Sequence, residues 1–103
     1  MAAVPAMAQE DYTPVCEGKG TNGMVSMLLC PDGLSEDHLA NEGRAICAER
    51  KPCGAWVWTD AAFIPLEAPD AHDKLPKESV RNALAIWVNE AEQLVLLAND
   101  GAE

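Results

Sequence analysis

Apolar positions along the chain fall into three patterns, and each predicts a different element. From Met24 to Cys30 the run MVSMLLC is nearly unbroken, with Gly23 before it and Pro31-Asp32-Gly33 after it. A short apolar run between turn residues predicts a buried strand followed by a turn. A second pattern follows at once: Leu39, Gly43, Ile46 and Cys47 recur at helical spacing within SEDHLANEGRAICAERKP. Ser35 is placed to cap the first free amides, Glu36 and Asp37 face the positive end of the helix dipole, and Arg44, Arg50 and Lys51 face the negative end. A main helix over residues 34–50 is predicted, stopped by Pro52. Gly43 on its apolar stripe would let it approach a sheet closely. In the third pattern, GAWVWTD, aromatic and β-branched residues put Trp56 and Trp58 on one face and Val57 on the other, which predicts a strand.

Two stretches lack such patterning. Residues 9–23 carry glycines and a proline without periodicity and read as an irregular arm tied down by Cys16. Pro65, Pro69 and Pro76 punctuate AAFIPLEAPDAHDKLP, which reads as a long surface loop. The last segment admits two readings. One long helix over residues 76–98 would align Val80, Leu84, Trp87 and Leu94, but would leave Ile86 and Leu97 nearly opposite that stripe. A short helix from Pro76 to about Ala83, then a hairpin of LAIWV and LVLL around NEAEQ, buries both sets better. The hairpin is the reading adopted, with the long helix as the alternative. The sum is an α+β domain: a small sheet of about four strands with the main helix packed on it.

Composition narrows what such a domain does. A chain of 103 residues fits one small globular domain, here residues 9–103, and a core of that size often needs crosslinks. The net charge of −10 repels phosphate backbones and anionic lipid, which argues against nucleic-acid binding and points to solubility or to a cationic protein partner. No run approaches the ~18 apolar residues of a membrane span, so no membrane insertion is expected. At the start, Ala6-Met7-Ala8 before Gln9-Glu10 has the small-x-small pattern of a signal-peptidase site. Residues 1–8 are therefore read as the remnant of a signal peptide, and the chain as periplasmic or secreted.

Export changes the meaning of the cysteines. Cys16, Cys30, Cys47 and Cys53 are separated by 13, 16 and 5 residues, without a C-x-x-C pair. In an oxidising compartment an even set predicts two disulfides, and the turn AERKP favours Cys47 with Cys53, leaving Cys16 with Cys30. Candidate chemistry is sparse. Asp70, His72 and Asp73 in the proline-rich loop form a candidate binding loop, with oxygen and imidazole groups suited to a metal or to acid-base work. His38 is assigned a surface or capping role. Trp56 and Trp58 form a candidate aromatic surface if they are not core. Met24, Met27 and Cys30 offer soft sulfur, but strand geometry disperses them and no metal or cofactor is expected. No nucleophile elbow, phosphate loop or dinucleotide fingerprint occurs, and Ser26, Ser35 and Ser79 have no adjacent histidine. Enzymatic activity is thus not indicated. The expectation is a binding or accessory module for a larger envelope protein, with a periplasmic metal-handling or thiol-redox protein as the alternative.

Overall fold

A computed structural model of the chain describes residues 15–97; the expected signal-peptide remnant and residues 9–14 lie outside them. The elements in order are β1 (Glu17–Asn22), β2 (Val25–Leu29), α1 (Glu36–Cys47), β3 (Gly54–Trp58), α2 (Lys77–Arg81), β4 (Ala85–Val88) and β5 (Gln93–Leu96), with 3-10 turns at Ala61–Phe63 and His72–Lys74. The five strands form one sheet in sequential order. Only β2 and β3 are parallel; the other neighbours are antiparallel. A parallel pair needs a long crossover, and α1 supplies it.

Burial follows from that topology. β2 and β3 lie at the heart of the sheet, and all of β3 is buried because both its faces are covered. On one face α1 packs through Leu39 and Cys47 on Leu28, Ala55, Val57 and Trp87. On the other face Val25, Met27, Trp56 and Trp58 are covered by the chain between β3 and β4, through Leu75, Ala83, Phe63 and Ile64. The proline-rich loop is therefore a lid on the second core rather than a free surface loop.

Three features let α1 sit where it does. Ser35 is the expected cap, its hydroxyl accepting from the His38 amide at 3.0 Å. A Cβ on Gly43 would fall 2.3 Å from Cβ of Trp87, so the helix reaches the sheet only because that side chain is absent. Glu42, 4% exposed, was not anticipated as a core residue. Its Oε2 accepts from the Val15 amide at 2.7 Å and the Cys16 amide at 3.3 Å, and lies 3.3 Å from His38 Nε2.

The structure corrects the sequence reading at several places. The main helix ends at Cys47, not at residue 50, and Pro52 is not what stops it. The chain instead turns at Ala48, with φ of 55°, and Asn89 captures the Ala48 and Arg50 carbonyls at 3.1 and 2.9 Å. The arm expected over residues 9–23 contains β1, so the sheet has five strands where about four were expected. β1 is nearly all exposed, and an edge strand with no buried face leaves no apolar alternation to read. The long helix over residues 76–98 does not form; α2 and the β4–β5 hairpin do. The hairpin turn has no glycine, and Glu92 takes up the positive φ of 51° in its place.

The two disulfides join Cys16 to Cys30 and Cys47 to Cys53. The first ties the start of β1 to the end of β2, and the second ties the end of α1 to the start of β3. In the chain-entropy picture they contribute about 3 and 2 kcal/mol respectively.

Candidate functional site

The candidate loop and the candidate tryptophans meet in one place. Trp56 and Trp58 project from the same face of β3 and stack with ring centroids 6.3 Å apart. They are not an aromatic surface: Trp58 is fully buried and Trp56 is 8% exposed. Their indole N–H groups are spent on the lid, Trp58 donating to the Ser79 carbonyl at 2.8 Å and Trp56 to Nδ1 of His72 at 2.9 Å. Large aromatic residues with satisfied N–H groups on an inner sheet face act as core mass.

His72 is the loop residue that the fold pulls inward. Its ring lies against β3 at Gly54, where an added Cβ would come within 2.5 Å of Cε1. An indole N–H can only donate, so Nδ1 must accept and neutral His72 carries its proton on Nε2. A protonated imidazole would have no lone pair for Trp56. Burial holds the imidazole below its ordinary value, opposed by the Glu90 and Asp73 carboxylates. Glu90 itself accepts from the Cys53 amide at 3.0 Å, and that bond is the main reason its carboxyl titrates below the usual glutamate range.

The remaining loop acids do not converge with His72 as ligands would. Asp70 pairs with Lys74 at 3.0 Å in solvent, which lowers the Asp70 carboxyl and raises the Lys74 ammonium. Asp73 is exposed beside His72. Among the described residues no group of three His, Cys, Asp or Glu is arranged to hold a metal ion. All four cysteines are oxidised. Met24 and Met27 both pack with the second core, whereas Cys30 belongs to the α1 side. Met24 precedes β2, so strand alternation does not place it opposite Met27 as expected from the sequence.

Two accessible surfaces stand out among the described residues. One is a shallow groove of about 610 Å³ at the seam between β3 and α2. Its apolar wall is made by Trp56, Leu75 and Val80, and it is flanked by Lys77 and Arg81 from α2 and by His72 and Asp73 from the lid. The other is the open edge of β5. No family model, curated protein or solved structure matches the chain. The functional reading therefore rests on these surfaces.

The β5 edge is read from the backbone. Asn89 donates to the Cys53 carbonyl at 2.9 Å, so Trp87 and Ala85 turn their backbone groups to β3 while Ile86 and Val88 turn theirs to β5. Their partners on β5 are Val95 and Gln93. Leu94 and Leu96 consequently present their N–H and C=O groups to the open side. Among the described residues no strand lies beyond β5. The side chains of Val95 and Leu96 are 36% and 51% exposed, on opposite faces of the sheet. The opposite edge is different: β1 carries Gly18, Lys19 and Gly20, with a shift of register between Gly18 and Gly20. A bulge and a lysine are devices that discourage strand addition. β5 has neither.

Proposed function

We propose that this domain is a binding module, an accessory of a larger envelope protein in a periplasmic or secreted setting, and that it engages its partner at β5. The observation that carries the reading is that, among the described residues, β5 forms an apolar edge without a bulge or lysine, whereas β1 at the opposite edge has both. An extended partner segment would pair with Leu94 and Leu96 through the backbone and set consecutive apolar residues, one on each face, against Val95 and Leu96. The turn at the end of the edge holds Glu90 and Glu92, and the whole chain carries −10, which suits a segment with Lys or Arg flanking its apolar residues. Two disulfides are compatible with an oxidising compartment, which supports export.

The test is photo-crosslinking in the native host. A crosslinking residue replaces Leu96 in one strain and Thr21 on β1 in another. The expected result is one larger protein attached from position 96 and none from position 21, with the isolated complex weakening as salt rises. Adducts of the chain with itself would show that β5 is a homodimer edge, and equal labelling from both positions would remove the special role of β5. Either result overturns the reading.

A further inference from the structure

The groove at the α2 seam is independent of the β5 edge and has chemistry of its own. In a chain with 17 acidic and 7 basic residues, a place where two basic side chains flank an apolar wall is unusual. Lys77 and Arg81 stand one helical turn apart on α2, both exposed. Among the described residues Arg81 has only a long contact of 3.9 Å with Glu78, with both groups in solvent, so its guanidinium can turn to a stronger acceptor. Beneath them the apolar wall is firm: Leu75 is 6% exposed, and Trp56 is held by Trp58 on one side and His72 on the other. Trp58 in turn anchors α2 through the Ser79 carbonyl. The two cations are therefore mounted on a helix that is fixed relative to the wall. Asp73 on the lid side is the opposing charge, and its effect is to exclude a second negative group from that end.

We propose that this groove binds a small carboxylate with an apolar body, its carboxylate between Lys77 and Arg81 and its apolar part along Trp56, Leu75 and Val80. Sites of this type combine an apolar lining with a few polar groups that orient the ligand. Carboxylate recognition by a guanidinium adds geometric selectivity over a simple cation. One carboxylate is the ligand class, since Asp73 disfavours a dicarboxylate.

The probe is 3-phenylpropionate, with 3-phenylpropylamine as its cationic counterpart, followed by NMR on the full chain with both disulfides intact. The expected result is a saturable shift of the Trp56 indole N–H and the His72 ring signals with the carboxylate, and none with the amine at the same concentration. Exchanging both cations, Lys77→Glu with Arg81→Glu, should weaken 3-phenylpropionate about ten-fold. Both residues are exposed, so a retained amide spectrum establishes that the variant is folded. Equal shifts with the two probes, shifts unaffected by the double exchange, or no saturation overturns the site. Failure here leaves the β5 reading untouched, because that reading is judged by crosslinking at position 96.

Discussion

At the residue scale, a few polar side chains do what the apolar pattern cannot. Glu42 gathers the Val15 and Cys16 amides, and Asn89 accepts from the Trp87 indole at 2.9 Å while holding two carbonyls of the chain after α1. Arg50 bonds the Gly23 carbonyl at 2.9 Å and the Ser26 hydroxyl at 2.6 Å, joining the β1–β2 turn to the end of α1. His72 belongs to this set and adds pH dependence. Burial disfavours its charged form, so its pKa in the folded chain lies below the ordinary value of 6.5. Below that value the unfolded chain takes up a proton that the folded chain resists. Stability should therefore fall as pH drops from 6.5, levelling off only below the folded pKa. Urea titrations across this range check it: His72→Gln, which keeps an acceptor for Trp56 but does not titrate, should show a flatter profile than the parent. An unchanged profile would mean that His72 is not the group responsible.

At the element scale, α1 comes close to β4 where Gly43 faces Trp87. Alanine is the better helix former than glycine by about 1 kcal/mol, so propensity alone predicts that Gly43→Ala stabilises. Packing predicts the reverse, since the new Cβ would lie 2.3 Å from Cβ and 2.6 Å from Cγ of Trp87. Backbone atoms of α1 and the base of an indole cannot move apart cheaply, and overpacking of this kind costs about 3 kcal/mol. The packing term wins, and chemical denaturation should show a clear loss of stability. A gain would place α1 farther from β4 than described. The sequence carried part of this: Gly43 was legible as a close-approach position from its place on the apolar stripe, whereas its partner Trp87 was not. Trp87 lies 44 residues along the chain, and periodicity contains no information about which strand a helix face meets.

At the scale of the whole molecule, one sheet separates two cores. Trp87 lies in the core under α1, and Trp56 and Trp58 lie in the core under the lid. Both cores are built on β3, every residue of which is buried, so neither can be lost while the other keeps its floor. The chain should therefore unfold in one cooperative step, with near-ultraviolet circular dichroism from the tryptophans and far-ultraviolet signal from the backbone superimposing. Earlier loss of the tryptophan signal would identify the lid as a separate unit. The same arrangement explains the two surfaces proposed for binding: among the described residues the sheet ends at β5, and the lid meets the sheet along the groove.

The sequence by itself determined the α+β class, the helix with its Ser35 cap, the three apolar strands β2, β3 and β4, the hairpin to β5, and four cysteines suited to two bridges. Those features are local: each is written in the spacing of apolar positions, the placement of turn and capping residues, or counting. Tertiary structure alone decided the rest. β1 has no pattern because its order comes from pairing with β2, from the Cys16–Cys30 bridge and from Glu42. The proline-rich loop became a lid because the second face of β3 had to be covered, and that took His72 out of solvent and joined it to Trp56. The candidate site was legible as residue types but not as a place. Contacts between residues far apart in the chain depend on which faces are left to bury after the local elements have formed, and that is settled only when the sheet assembles.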